Sequence, residues 1–123
     1  MLRAVCPSAA VAAALLAITS MNPAKAQNAD FDLKNLSGWT ISYINVREYG
    51  ESRWGPDLLG REVLANGETE HITFGRGSAC HWDINVQYQN RIWYYWTNVN
   101  LREINTMTIY YNETARNIEA SWE

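Results

Sequence analysis

The chain has 123 residues, of which 47% are hydrophobic, and its formal net charge at pH 7 is −3. This length allows one small domain and leaves no room for a catalytic domain beside a cofactor domain. The acidic balance argues against nucleic acid and anionic membranes as partners, because both attract basic patches. No cofactor is predicted, since dinucleotide and phosphate-loop motifs are missing from the sequence.

Residues 1–26 have the features of a secretory signal peptide. Arg3 supplies a positive start, residues 10–18 form a short apolar core, and Ala24-Lys25-Ala26 fits a cleavage site. The apolar run is shorter than the roughly 20 residues that span a bilayer. We therefore expect a bacterial protein that is periplasmic or secreted, without membrane insertion. Residues 27–123 are expected to form a single all-β domain with 8 basic and 13 acidic residues, a net charge of −5.

The first predicted strands lie in residues 31–47. Residues 31–36 alternate between apolar and polar side chains, Ser37-Gly38 interrupts the pattern, and residues 39–47 resume it with aromatic and β-branched residues. A turn at Asn66-Gly67 precedes a third predicted strand at residues 70–74.

Residues 80–88 show the clearest strand pattern, with two alternating sets of side chains. The predicted core side consists of Cys80, Trp82, Ile84, Val86 and Tyr88, and the predicted solvent side of His81, Asp83, Asn85 and Gln87. A two-residue hairpin at Gln89-Asn90 is expected to lead into a strand at residues 91–99, and two more strands are expected at residues 105–111 and 116–122. About six or seven short strands without a helical period indicate an antiparallel β-sandwich, or alternatively a small barrel.

Aromatic residues are the first candidate for a binding site. Trp93 and Tyr95 fall on the opposite face of their predicted strand from Ile92, Tyr94 and Trp96. The strand is therefore either covered on both sides or presents an aromatic outer face that can stack sugars or dock a partner.

Residues 54–60, "WGPDLLG", form the second candidate. Pro56 fixes φ for a tight turn, Asp57 can accept hydrogen bonds from unpaired backbone amides, and Gly60 can end the turn in a left-handed conformation. This pattern favours a structural corner. Asp57 is a binding residue only if its carboxylate is free of the turn, and Trp54 only if its ring is exposed.

Catalytic and metal-binding signals are weak. His71, His81 and Cys80 are the available groups for nucleophilic catalysis, and no motif links them. Asp57, Asp83 and Glu103 offer carboxylates without any specific spacing. Asp57, His81 and Asp83 are weak metal candidates, and no metal site is predicted. Cys80 is the sole cysteine after residue 26, so we expect a free thiol that is either buried or pairs between chains.

The order of motifs resembles a family of small exported proteobacterial proteins. The resemblance rests on "NLSG" at residues 35–38, the "WGPDLLG" corner and a tyrosine-rich hairpin near residue 110. It implies a β-sandwich of unestablished activity. Some members carry the name argininosuccinate lyase, but that enzyme is helical and oligomeric, and a β domain of this size cannot support its reaction. The family pattern also implies a second cysteine that forms a disulfide with the position of Cys80. This chain has Arg102 where that second cysteine would stand.

The sequence predicts an exported, non-enzymatic β-sandwich that docks an unknown protein. The alternative is a small-ligand or carbohydrate-binding module that uses exposed aromatic residues, namely Trp93, Tyr95 and their aromatic neighbours. A weaker third hypothesis is an enzyme that uses His71, His81 or Cys80. A monomer or weak oligomer is expected.

Overall fold

A computed structural model of the protein describes residues 29–73 and 79–123, so the predicted signal peptide lies outside the described residues. Seven strands form the fold: β1 (Phe31–Leu36), β2 (Ile41–Glu48), β3 (Thr69–Ile72), β4 (His81–Tyr88), β5 (Trp93–Asn100), β6 (Thr106–Asn112) and β7 (Asn117–Trp122). The described ranges contain no helix, and hence no apolar helix of the length that a membrane crossing requires.

The strands form two sheets, one of four strands in the order β3-β1-β6-β7 and one of three strands in the order β2-β4-β5. Side chains from both sheets form a shared hydrophobic core. The predicted all-β sandwich is therefore confirmed, and the sheets remain separate rather than closing into the alternative small barrel. Strand pairs are antiparallel except β1 and β6, which run parallel. Alternation in a single strand carries no information on this direction, so the sequence could not predict it.

The core follows the period-two pattern of the strands. Phe31 and Leu33 of β1 are buried, as are Ile84 and Val86 of β4 and Met107 of β6. Each such side chain contributes roughly 1.5–3 kcal/mol to the free energy of unfolding by leaving water. Alternate positions on each strand are thereby committed to the core, which fixes which side chains remain for the outer faces.

Asn35, at the end of β1, ties three segments of the chain together. Its side-chain amide donates to the carbonyl oxygens of Trp39 and Leu64 at 2.7 and 2.9 Å. Its Oδ1 accepts from the backbone N–H and the hydroxyl of Ser37 at 3.0 and 2.6 Å. A side-chain amide has two N–H donors and one oxygen that can accept two hydrogen bonds. All of these positions are used, so the fully buried Asn35 side chain leaves no polar group unpaired. The "NLSG" motif therefore has a structural role at the β1–β2 turn.

The β4–β5 connection differs from the predicted two-residue hairpin. The Arg91 N–H donates to the Tyr88 carbonyl at 2.9 Å, the Tyr88 N–H donates to the Ile92 carbonyl at 3.0 Å, and Arg91 has φ of 70°. This is a three-residue loop with its last residue in the left-handed region. The extra residue shifts the start of β5 to Trp93.

A side-chain network holds the β6–β7 hairpin in register. The Tyr110 hydroxyl and the Asn112 amide both donate to Glu119 Oε1, at 3.1 and 3.0 Å. The hydrogen bond to the Glu119 carboxylate raises the pKa of Tyr110 above its ordinary value. Tyr110 and Glu119 face each other across the two strands, so the pair supports the register that the backbone ladder sets.

Candidate functional site

The outer face of the three-stranded sheet carries large exposed aromatic side chains. Trp93 and Tyr95 of β5 are 46% and 63% exposed. Tyr94 and Trp96, which alternate with them, pack against the core from the other side of the strand. Of the two possibilities that the sequence left open for β5, the structure has the aromatic outer face.

Cross-strand register arranges this outer face in rows. The first row contains Tyr43, Gln87 and Trp93, and the second contains Asn45, Asn85 and Tyr95. In the first row the Tyr43 and Trp93 rings flank Gln87, with centroids 6.1 Å apart and planes at 63°. We call these six residues the aromatic–amide face.

The two asparagines of the second row are buried although they point away from the core. Asn45 is 7% exposed and Asn85 is 8% exposed. Asn45 Nδ2 donates to the Gly55 carbonyl at 2.7 Å, which shows that the loop after β2 covers this part of the sheet. The sequence predicted a solvent side at Asp83 and Asn85, and this was wrong, because both side chains are buried. The loop therefore holds the Asn45 amide, and Asn85 lies between Asn45 and the exposed Tyr95.

An ion pair forms the third row. Arg47 Nε lies 2.8 Å from Asp83 Oδ2, and Asp83 Oδ1 accepts from the Asn98 N–H at 3.0 Å. The Arg47 guanidinium also lies 4.2 Å from the centroid of the half-buried Trp54 ring, a cation–π contact. Both Asp83 oxygens are thus engaged, which stiffens one end of the aromatic–amide face and occupies the carboxylate that was a weak metal candidate.

The "WGPDLLG" segment runs along the outer edge of β2. The Gly55 N–H donates to the Val46 carbonyl at 2.9 Å, and the Leu58 N–H donates to the Ile44 carbonyl at 2.8 Å. Asp57 Oδ1 accepts from the N–H groups of Ile44 and Leu59, at 3.1 and 3.0 Å. Gly60 has φ of 61°, which is the left-handed turn ending predicted for it.

These contacts show that the Asp57 carboxylate holds the backbone of the corner in place. One of its oxygens satisfies two amides, and one of these belongs to the fully buried Ile44. Trp54 is half-buried under Arg47, so its ring is only partly available. Of the four predicted binding residues, the structure therefore brings Trp93 and Tyr95 together on one exposed surface and uses Asp57 structurally.

The structure places the predicted catalytic candidates on separate elements. His71 lies on β3 of the four-stranded sheet, where Nδ1 is 2.7 Å from Asp32 Oδ1. His81 begins β4 of the three-stranded sheet, and Glu103 lies exposed in the turn after β5. Among the described residues, no group of three or more metal-ligating side chains is present.

Cys80 corrects the prediction of a free thiol, because it is disulfide-bonded and half-buried. Arg102, which stands where the resemblance implies a second cysteine, donates its Nε–H to the Ala79 carbonyl at 3.0 Å. The Arg102 side chain thus joins the turn after β5 to the segment before β4.

Sequence reasoning missed four members of the candidate site: Tyr43, Asn45, Asn85 and Gln87. The signal that could have found the first two is the alternation of β2, where Tyr43, Asn45 and Arg47 share one face. Their meeting with Trp93 and Tyr95 depends on the strand order β2-β4-β5, which alternation does not encode.

Comparison with known proteins gives a structural likeness alone. No protein-family model and no curated protein matches the chain. The fold is similar to that of a protein from Eubacterium rectale solved by NMR, with a TM-score of 0.53 and 12% sequence identity, over 78% of this chain and 88% of that chain. At this identity the likeness supports the sandwich architecture.

Proposed function

We propose that this protein is an exported, non-enzymatic binding domain that holds a neutral carbohydrate chain on its aromatic–amide face. The observation that carries the proposal is the exposure of Trp93 and Tyr95 side by side on one strand, with Tyr43 facing Trp93 across the sheet. Exposed rings of this size are costly in water unless a ligand covers them, and they favour a binding surface.

The chemistry of the face fits a sugar better than a purely apolar ligand. Aromatic rings stack on the C–H faces of sugar rings, while amides donate to and accept from hydroxyl groups. The amide of Gln87 lies between the Tyr43 and Trp93 rings in the register of the sheet. Residues two apart on a strand are roughly 7 Å apart, so a ligand that covers both Trp93 and Tyr95 is an oligosaccharide rather than a single sugar.

Charge favours a neutral carbohydrate. Of the charged residues beside the face, Arg47 and Asp83 neutralise each other at 2.8 Å. The predicted mature chain carries a net charge of −5, which repels acidic polysaccharides. Export to the periplasm or the medium, as the signal peptide predicts, would bring the domain to envelope or environmental glycans. Both Asp57 and Asp83 hold structural hydrogen bonds, which supports a non-enzymatic role.

A glycan array probed with residues 27–123, followed by titration of the best neutral oligosaccharide, tests the proposal. We expect Trp93→Ala and Tyr95→Ala each to weaken binding about tenfold or more, since truncating a central aromatic contact commonly costs above ~1 kcal/mol. Trp122→Ala, which removes an exposed tryptophan from the other sheet, is the matched control and should bind normally. Equal affinity of all three variants would contradict the proposal, as would an array without any neutral ligand.

Protein docking along β5 is a second candidate function, favoured by a separate observation. β5 is an edge strand of eight residues, "WYYWTNVN", without a charged residue or a proline. Natural edge strands usually carry charges, prolines or bulges that prevent pairing; β5 has a bulge at Asn98, so its first half, Trp93–Trp96, is the part that suits the addition of a partner strand. Cross-linking of a bound protein to residues 93–100, with none to residues 54–64 at the opposite edge, would support docking.

A further inference from the structure

The third row of the outer face carries a guanidinium group whose position is fixed from two sides. Arg47 follows Asn45 on the same face of β2, so it lies next to the second row of the aromatic–amide face. Its Nε donates to Asp83 Oδ2 at 2.8 Å, and its guanidinium carbon lies 4.2 Å from the centroid of the Trp54 ring. Asp83 is itself held, because its Oδ1 accepts from the Asn98 N–H. The Arg47 side chain is therefore arranged before a ligand arrives, which lowers the entropic cost of binding.

The terminal nitrogens of Arg47 keep their capacity to donate. An arginine side chain has five N–H groups, and Asp83 takes the one on Nε. The four N–H groups on the two Nη atoms have no hydrogen-bond partner within residues 29–73 and 79–123. They are not enclosed either, since the Tyr88 hydroxyl is the sole buried and unpaired side-chain polar group among these residues. With 24% of the Arg47 side chain exposed, its Nη atoms reach the surface, where a ligand can meet them.

The loop after β2 lies on the outer side of the sheet beside Arg47. The Gly55 carbonyl accepts from Asn45 Nδ2 at 2.7 Å on this side. The preceding residue, Trp54, is half-buried and supports the guanidinium with its ring. Arg47 and Trp54 thus extend the aromatic–amide face by one position, at which an aromatic ring carries a planar group of hydrogen-bond donors.

Strand geometry sets the length of ligand that can use this position. Rows are two residues apart, so the Arg47 row lies roughly 7 Å beyond the Asn45 row and roughly 13 Å beyond the Tyr43 row. A ligand that stacks on Trp93 and Tyr95 and also meets Arg47 must therefore run along the strands. It must also be longer than a ligand that covers the two rings alone.

We propose that Arg47 is a further binding residue for the carbohydrate, with its two Nη atoms donating to neighbouring hydroxyl oxygens of the sugar unit beyond Tyr95. This inference rests on the proposed carbohydrate function. A guanidinium suits the role because its planar fork presents parallel N–H groups. The buried Asp83 carboxylate compensates its charge at 2.8 Å, so the position selects hydroxyl groups over a carboxylate. The ligand is thereby a neutral oligosaccharide of three or more units that lies parallel to the strands.

Titration of residues 27–123 with ligands of two, three and four units, from the cello-, malto- and N-acetylchito-oligosaccharide series, tests the proposal. We expect Arg47→Lys, which keeps the charge beside Asp83, to weaken binding of the longer ligands about five- to tenfold, since hydrogen bonds from a charged donor are lost. It should bind the two-unit ligand normally, because that ligand covers only Trp93 and Tyr95. Arg53→Lys, the same substitution at an exposed position in the nearby loop, is the matched control.

Side-chain NMR of arginine-labelled protein adds a readout that does not depend on how a variant folds. The Arg47 guanidinium signals are assigned by their absence from the Arg47→Lys spectrum. We expect the four-unit ligand to shift these signals and the two-unit ligand to leave them in place. Signals that no chain length moves would overturn the Arg47 site, as would equal affinity of the wild type and Arg47→Lys at every length.

The Arg47 site and the carbohydrate function fail in distinguishable ways. Binding that depends on Trp93 but not on chain length or Arg47 would leave the carbohydrate function standing and show that the Arg47 site is wrong. A glycan array without any neutral ligand would overturn both. Tighter binding of tetragalacturonate than of the neutral ligands, lost in Arg47→Lys, would show that Arg47 binds an anion and would also overturn both.

Discussion

The Asp57 carboxylate shows how a residue that looks like a ligand can serve the backbone. Its Oδ1 accepts from the amides of Ile44 and Leu59, so it bridges β2 and the corner that covers it. Ile44 is fully buried, and its amide would otherwise lack a partner on the outer edge of the strand. A buried amide left unpaired costs about 1–3 kcal/mol of unfolding free energy.

Substitutions of Asp57 should therefore change stability and leave binding intact. Asp57→Asn keeps an acceptor oxygen and should lower the free energy of unfolding by about 1 kcal/mol or less, while Asp57→Ala strands both amides and should lower it by about 1–3 kcal/mol. Urea unfolding measures both, with Glu51→Ala, an exposed acid outside these contacts, as the control. Loss of oligosaccharide binding by Asp57→Asn at unchanged stability would show instead that the carboxylate contacts ligand.

The roles of several individual turn residues could be predicted from the sequence, because local backbone geometry depends on residues nearby in the chain. The roles of Asp57 and Gly60 follow from turn chemistry. The hydrogen bonds of Asn35 to Leu64 join residues 29 positions apart, and no local pattern encodes such a distance. The Tyr88 hydroxyl, which is buried without a hydrogen-bond partner among the described residues, could not be predicted either, since its surroundings depend on where two sheets meet.

At the scale of elements, the two edges of the three-stranded sheet differ in whether another segment of the chain pairs with them. The outer edge of β2 is paired with the chain itself, through Gly55 and Leu58 and, further along, through an Ile41–Leu64 bridge. Within residues 29–73 and 79–123, no strand lies beside the outer edge of β5. The "WGPDLLG" corner therefore protects one edge, and β5 is the edge that the described residues leave open.

Replacing Gly55 should detach the corner from β2. A Cβ on Gly55 would lie 3.0 Å from the Val46 carbonyl oxygen, the acceptor of its own hydrogen bond. Gly55→Val should therefore lower the free energy of unfolding by about 1–3 kcal/mol and, by exposing the β2 edge, increase aggregation. Ser52→Val, at an exposed site in the same loop, is the control for added hydrophobicity. Chemical unfolding and light scattering give the readouts, and equal behaviour of the two variants would contradict edge protection.

The sequence predicted the number and spacing of strands well, because alternation and turn residues are local signals. Strand order, the parallel β1–β6 pair and the rows of the aromatic–amide face depend on long-range pairing. Trp93 and Tyr95 were therefore identified singly, while Tyr43 and Asn85 became candidates only through their register with β5.

At the scale of the whole molecule, the proposed carbohydrate surface lies on an edge strand of the sandwich. β5 carries Trp93 and Tyr95 on its outer side and Tyr94 on the core side. The strands with neighbours on both sides, β1, β4 and β6, supply much of the fully buried core. A stable interior thus supports an edge strand that has fewer contacts of its own.

Amide hydrogen exchange should reveal this division across the molecule. We expect slow exchange in β1, β4 and β6, and faster exchange in β5, because amides on an open edge lack acceptors. β2 should behave like a central strand although it ends its sheet, since the Ile41 and Ile44 amides donate to Leu64 and Asp57. NMR-detected exchange at low protein concentration measures each amide. Protection of β5 equal to that of β4 in dilute solution would mean that another chain covers this edge, and the open edge inferred from the sheet order would then be wrong.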